Sequence, residues 1–145
     1  MKIVAFLLLL PCLGYAQSML YAQCGEPVGT RYDQVDGRVK QEADGFAGIN
    51  PTFIITREAP GRLTFLWGPA AWAREALQMR ERLQDASIID STPEKITAVR
   101  VYVGGVTQMY SLYPTKGLVY FTQHRFIAGQ VPTASTFYAT CEFVK

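Results

Sequence analysis

The sequence has few of the residues from which catalytic and metal sites are built. Its 145 residues include one histidine, His124, and three cysteines. It contains no Gly-rich phosphate loop and no G-x-S-x-G, H-E-x-x-H or paired C-x-x-C motif. Cys24 and Cys141 have no cysteine or histidine at ligand spacing, so a metal site is not expected. The residues therefore predict no metal and no cofactor.

The chain also lacks an excess of charge of one sign. It has 14 Lys and Arg against 12 Asp and Glu, and no basic block. Because binding to nucleic acid requires clustered Lys and Arg, nucleic acid is not an expected partner. The hydrophobic fraction of 49% is typical of a globular protein.

Only one long apolar run is present, and it lies at the N-terminus. Lys2 precedes the run from Ile3 to Leu10, and a short segment of small residues ends at Ala16. This order is typical of a secretory signal peptide, and the run is shorter than the roughly 20 residues of a membrane-spanning helix. We expect residues 1–16 to be removed, leaving 17–145 as one periplasmic or secreted domain with no transmembrane segment.

Export determines how the cysteines are interpreted. Cys12 would leave with the signal peptide, whereas Cys24 and Cys141 remain near the two ends of the mature chain. Exported proteins meet an oxidising compartment, so we predict a Cys24–Cys141 disulfide. Closing a loop of this length stabilises a fold by roughly 4 to 5 kcal/mol in loop-entropy estimates.

The first half of the mature chain shows three patterns. Residues 24–50 are rich in Gly, Asp and Arg and predict a loop-rich segment with one short strand. Residues 52–67 predict a hairpin that turns at Pro60-Gly61. Residues 69–85 predict an amphipathic helix, because Trp72, Ala76, Met79 and Leu83 recur at helical spacing.

The second half predicts strands. Residues 95–144 contain four strand-like runs with short turns, which indicates a four-stranded antiparallel meander. The expected fold class is therefore α+β: an antiparallel β-meander curved into a partial barrel, with one amphipathic helix packed on it. An eight-stranded lipocalin-like barrel is the alternative. The tryptophan expected in its first strand is absent, and Trp67 lies in the second strand of the hairpin.

Two sets of residues are candidates for function. His124 could serve as a general base, but catalysis would also need a nucleophile or an orienting carboxylate nearby. Tyrosines and arginines are enriched at binding surfaces, and the meander carries several of them. The predicted binding residues are Tyr102, Tyr110, Tyr113, Tyr120, Arg125 and Tyr138.

Several segments together resemble small secreted proteins of Proteobacteria. They are "CGEP", "DGFAGINPTFI", "LTFLWG", "LYPTKGLVYFTQHRFI" and "VPTASTFYATC". The resemblance implies export, a single β-rich domain and a two-cysteine plan. It implies no catalytic residues.

We therefore expect an exported, non-enzymatic binding or interaction protein. Its partner would be a protein or a small apolar ligand, and inhibition of a foreign hydrolase is one such role by architectural analogy. The alternative is a small hydrolase or isomerase centred on His124.

Overall fold

The computed structural model describes residues 18–68 and 83–144, and these residues are almost entirely β-structure. The ten strands are β1 (Ser18–Cys24), β2 (Val28–Val35), β3 (Arg38–Gly45), β4 (Thr52–Thr56), β5 (Arg62–Leu66), β6 (Gln84–Ser91), β7 (Ile96–Tyr102), β8 (Val106–Tyr113), β9 (Leu118–Arg125) and β10 (Thr133–Val144). A 3-10 turn, Pro114–Lys116, is the only helical segment within the described ranges.

The predicted α+β class is wrong for the part of the chain that the structure describes. Most of the predicted helix, 69–82, lies outside the described residues. Its last two positions, Gln84 and Asp85, belong to strand β6, where they pair with Phe65 and Thr64 of β5. Within the described ranges, no helix is long and apolar enough to cross a membrane.

The sheet closes into a barrel rather than remaining a partial barrel. Eight strands follow one another in the order β1-β4-β5-β6-β7-β8-β9-β10, and β1 also pairs with β10. Closure leaves these eight strands without a free edge, which removes a route to aggregation. The number of barrel strands matches the alternative prediction of an eight-stranded barrel. The β2–β3 hairpin lies between β1 and β4 in the chain, so the first barrel strand pairs with β4 and not with the next strand in sequence.

The closing pair carries the predicted disulfide. Cys24 of β1 lies directly opposite Cys141 of β10, and their side chains are joined. The backbone N–H of Cys24 donates to Pro51 O and that of Cys141 donates to Gly117 O. The two cysteines therefore form a non-hydrogen-bonded pair, in which side chains approach most closely. The disulfide prediction is confirmed.

The segment predicted to be loop-rich, residues 24–50, contains two eight-residue strands, so that prediction is wrong. Strands β2 and β3 form a hairpin whose two-residue turn is Asp36-Gly37, with φ of 50° and 74°. Positive φ at both positions suits Asp-Gly, which is the usual sequence of such turns. The hairpin extends the sheet because β2 pairs with the first half of β10.

Alternate residues of the barrel strands point inward and form one apolar core. At its centre Tyr110, Phe53 and Phe65 are fully buried, and their rings lie 4.7 to 6.1 Å apart. The core consists of Leu20, Ala22, Cys24, Phe53, Ile55, Leu63, Phe65, Ala86, Ile96, Ala98, Tyr110, Leu112, Val119, Phe121, Phe137 and Ala139. The interior next to this core is therefore filled by side chains.

Candidate binding face and polar mouth

Five strands lie side by side in the order β8, β9, β10, β2 and β3. Over the length where they pair, their outer face carries no Lys, Arg, Asp or Glu. On β9, Val119 and Phe121 are buried in the core, so Tyr120 and His124 point outward. The same alternation and the strand register give four outward positions on each strand. We call the set the uncharged face: Val28, Thr30, Tyr32, Gln34, Val39, Gln41, Ala43, Gly45, Thr107, Met109, Ser111, Tyr113, Leu118, Tyr120, Thr122, His124, Ala134, Thr136, Tyr138 and Thr140.

Three of the predicted binding tyrosines form a row on this face. The rings of Tyr113 and Tyr120 lie 6.0 Å apart, and those of Tyr120 and Tyr138 lie 6.2 Å apart. Tyr120 is 43% exposed and Tyr138 is 47% exposed. Neighbouring cross-strand positions therefore hold rings that are supported by one another and still available to a partner.

A groove lies at the edge of the uncharged face, at the end of β9 and β10 that carries His124 and Ala134. Its volume is about 650 Å³. Tyr32, Val39 and Phe126 supply its exposed apolar surface, and Phe126 is 64% exposed. Asp33 and Arg125 also line the groove, beside hydroxyl and amide groups. Apolar surface with a polar rim of this kind is typical of interaction sites.

His124 lines the same groove and is exposed. Its cross-strand neighbours are Thr107 on β8 and Ala134 on β10. Among the described residues, no hydrogen bond or ion pair joins His124 to a carboxylate or a hydroxyl group. Within the described ranges, therefore, no carboxylate or hydroxyl group is placed to orient this histidine as a general base.

The other two predicted tyrosines point into the barrel, where they join a network of polar side chains that we call the polar mouth. The hydroxyl of Tyr102 lies 2.8 Å from Gln84 Oε1 and 3.1 Å from Gln108 Oε1 and shares its single proton between them. Tyr110 donates to Gln108 Oε1 at 2.7 Å. Gln108 Nε2 in turn donates to Gln123 Oε1 at 2.9 Å. Burial raises the pKa of both phenols, so they remain neutral donors.

Charged side chains of the β2–β3 hairpin face the same side as the polar mouth. Arg31 contacts Asp33 and Glu42, each at 2.8 Å, and Asp44 at 3.9 Å. The hydroxyl of Thr133 donates to Asp33 at 2.9 Å. This hydroxyl and the Arg31 guanidinium hold the pKa of Asp33 below its ordinary value. The hydrogen bond that Arg31 donates to Asp33, together with the nearby acidic charges, raises the pKa of Arg31.

Arg125 lies apart from the tyrosines with which it was predicted to act. It donates to Gln130 at 3.0 Å and lines both the outer groove and a smaller cavity of about 320 Å³ on the inner side. Within the described ranges, no group of three or more His, Cys, Asp or Glu is arranged to hold a metal ion.

The structure thus divides the predicted binding set into two groups. Tyr113, Tyr120 and Tyr138 belong to the uncharged face, whereas Tyr102 and Tyr110 belong to the polar mouth. The sequence reasoning missed the contribution of β2 and β3 to the face. Asp36-Gly37, flanked by alternating charged and uncharged residues, is the sequence signal that could have revealed it.

The chain matches no protein-family model, no curated protein and no solved structure at significant similarity. The resemblance to small secreted proteins of Proteobacteria therefore remains a prediction.

Proposed function

We propose that this is an exported, non-enzymatic binding protein that docks another protein on its uncharged face. The observation that carries the proposal is the separation of charge across the hairpin and the neighbouring strands. Arg31, Asp33 and Arg125 point to the inner side. The outer positions of the same strands hold threonine, tyrosine, valine, leucine, glutamine and one histidine, His124.

This composition differs from that of an ordinary solvent-facing sheet. Outer strand positions of soluble proteins commonly carry Lys and Glu, which are strongly hydrated and also discourage association. Interface cores are depleted in Lys, Glu and Asp and enriched in tyrosine. The partner that fits is a protein surface that is itself uncharged, with an aliphatic or aromatic side chain that enters the groove between Tyr32 and Phe126.

A small apolar ligand fits the structure less well than a protein. The interior that a barrel would offer to such a ligand is filled by the aromatic core, in which Tyr110, Phe53 and Phe65 are fully buried. The groove on the outer face is open to solvent and is lined in part by the charged residues Asp33 and Arg125, whereas sites for small ligands are concave and mostly apolar.

Two observations support a site of action outside the cytoplasm. The Cys24–Cys141 disulfide is the kind of bond that persists in oxidising compartments. The first 16 residues have the order of a signal peptide. Cell fractionation, with N-terminal sequencing of the mature protein, tests this part of the proposal: we expect a chain that begins at Gln17 in the periplasm or medium.

The docking surface is tested by one charge at its centre. Thr136 is exposed and pairs with Thr30 on one side and Thr122 on the other. A Thr136→Lys variant should fold normally and lose the partner, because a lysine ammonium would have to be desolvated in the interface. Ser87→Lys is the matched control, since Ser87 is an exposed strand residue on β6, away from the uncharged face.

The experiment immobilises the wild-type protein and both variants and exposes them to periplasmic extract and spent medium. Support requires a protein that the wild type and Ser87→Lys retain and that Thr136→Lys does not. The dissociation constant of the purified pair should then rise at least about tenfold for Thr136→Lys. Equal retention by all three proteins would overturn the proposal. The identity of the captured protein decides whether the inhibitor hypothesis is correct.

A further inference from the structure

Within the part of the chain that the structure describes, strand β3 has a free edge. It pairs with β2 on one side, and no other described strand lies on its second side. It is eight residues long, contains no proline and has no register shift in its pairing with β2. Val39 on this strand is 73% exposed. Natural proteins shorten, kink, cover or charge such an edge, because it can pair with a strand of another chain. Of these devices β3 has only the charges: Arg38, Lys40, Glu42 and Asp44. Whether they prevent pairing depends on the signs that face one another.

The backbone groups at this edge belong to known residues. The N–H of Phe46 donates to Pro27 O. Because hydrogen-bonded pairs alternate along an antiparallel ladder, the even-numbered residues of β3 direct their backbone N–H and C=O groups toward β2. The N–H and C=O groups of Val39, Gln41 and Ala43 therefore point away from β2. These three residues could form a ladder of six hydrogen bonds with an antiparallel strand of the same kind.

The charges of β3 are arranged symmetrically about Gln41. Positive residues, Arg38 and Lys40, precede it, and negative residues, Glu42 and Asp44, follow it. An antiparallel copy centred on Gln41 places Lys40 opposite Glu42 and Arg38 opposite Asp44, with Gln41 opposite itself. All four charged pairs across the junction are then of opposite sign.

Other registers do not share this property. In an antiparallel pair of identical strands, the two uncharged faces lie on the same side only if the two-fold axis passes through a residue and not between two residues. The nearest alternative registers are therefore those with the axis at residue 40 or at residue 42. The first places Lys40 opposite Lys40, and the second places Glu42 opposite Glu42. Directly opposed like charges destabilise an antiparallel pair, whereas opposite charges stabilise it.

We propose that two copies of this chain associate through their β3 edges, in antiparallel register about a two-fold axis at Gln41. The contact is isologous and closes with two copies, as most homo-oligomer interfaces do. The sheet then runs from one barrel into the next, and Val39, Gln41 and Ala43 join the two uncharged faces across the axis. This inference goes beyond the proposed function and does not depend on it.

Cross-linking tests the register directly. In this dimer the two copies of residue 41 face each other, so Gln41→Cys should form an intermolecular disulfide under mild oxidation. Val39→Cys is the matched control, because it lies on the same edge and face but about 13 Å along the strand from its own copy. A covalent dimer for Gln41→Cys and a monomer for Val39→Cys are expected on a non-reducing gel.

Charge exchange tests the pairing energetics. Arg38→Asp and Asp44→Arg should each weaken the dimer about tenfold in sedimentation equilibrium, and the double variant should restore it. Arg38 lies opposite Val35 within the hairpin, so Arg38→Asp opposes no like charge directly in the monomer. Asp44→Arg replaces a carboxylate that lies 3.9 Å from Arg31, so its effect on the monomer is measured separately by urea denaturation. Circular dichroism verifies the fold of each variant.

The inference is overturned if the mature wild-type chain remains monomeric at millimolar concentration. It is also overturned if Gln41→Cys cross-links no better than Val39→Cys, or if the double charge variant fails to recover association. These outcomes are independent of partner capture, because they need only the purified chain.

Discussion

Cys24 and Cys141 face each other across the antiparallel pair of β1 and β10, at the place where the barrel closes. The bond joins the first and last strands over a sequence separation of 117 residues. Strand β10 passes through two different environments. One half of β10 pairs with β1 beside the apolar core, and the other half pairs with β2 beside the charged hairpin.

Removing the disulfide should destabilise the protein strongly. Cys141→Ala in a Cys24→Ala background frees the ends of a very long loop, for which we expect a loss of about 4 kcal/mol in unfolding free energy. Urea denaturation of the oxidised wild type and the double variant measures the difference. Peptide mapping should find Cys24 linked to Cys141, and two free thiols in the exported chain would contradict both the bond and the compartment.

Phe137→Ala should cost about 3 to 5 kcal/mol of unfolding free energy, as large aromatic truncations in cores do. Phe137 is 3% exposed, and its ring stacks on Phe121 at 4.8 Å and contacts Phe46 at 4.9 Å. Tyr138→Ala is the control on the outer side of the same strand and should change stability far less. Similar losses for the two variants in a denaturant melt would show that the inward and outward assignments are wrong.

The sequence predicted the features that follow from simple alternation. Beside the core, the inward residues of β9 and β10 are apolar, as Val119, Phe121, Phe137 and Ala139 show. The residues between them are tyrosine and threonine, so the period of two was visible and placed Cys141 beside the core. In β2 and β3 the charged residues point inward to the polar mouth and the uncharged ones outward. A hydrophobic period could not reveal these strands, because neither of their faces is packed in an apolar core.

Pairing between distant strands was the second feature that the sequence could not predict. The pairing of β1 with β4 and β10 joins residues that are far apart in the chain, and no local pattern specifies it. The tyrosines show the same limit: Tyr102, Tyr110 and Tyr120 look alike in sequence, but the direction of each side chain depends on its strand register.

The pKa of the Asp33 carboxyl group should depend on the hydroxyl of Thr133. Its lowered pKa means that the ionised form is favoured in the folded state, so its stabilising effect is present at neutral pH and is lost as the pH falls below the ordinary aspartate value of 3.8. Thr133→Val removes the hydroxyl donor and should raise the pKa of Asp33, measured by NMR titration of the carboxyl carbon.

Thr136→Val is the control for this titration, because Thr136 lies on the same strand but on the uncharged face. It should leave the Asp33 titration unchanged. If Thr133→Val and the wild type titrate with the same midpoint, the hydrogen bond from Thr133 does not contribute.

His124→Gln should leave both folding and partner binding nearly intact. His124 is exposed, and glutamine retains a donor and an acceptor of similar reach. We expect a change of less than about 0.5 kcal/mol in stability, as for ordinary surface substitutions. Complete loss of a measured activity in this variant, with the fold retained, would favour the hydrolase or isomerase hypothesis instead.

Gly29→Ala should separate β2 from β10 and thereby loosen the hairpin from the barrel. A Cβ atom at position 29 would lie 2.8 Å from the ring of Phe137 and closer still to the backbone oxygen of Thr136, and neither can move without disturbing the core or the strand pairing. Such overpacking typically costs about 1 to 3 kcal/mol. Gly61→Ala is the matched control, because a Cβ atom there meets nothing within 4 Å. Thermal denaturation should show a lower midpoint for Gly29→Ala only, and hydrogen exchange should increase in β2 and β3. Equal midpoints for the two variants would mean that the hairpin does not depend on this close approach.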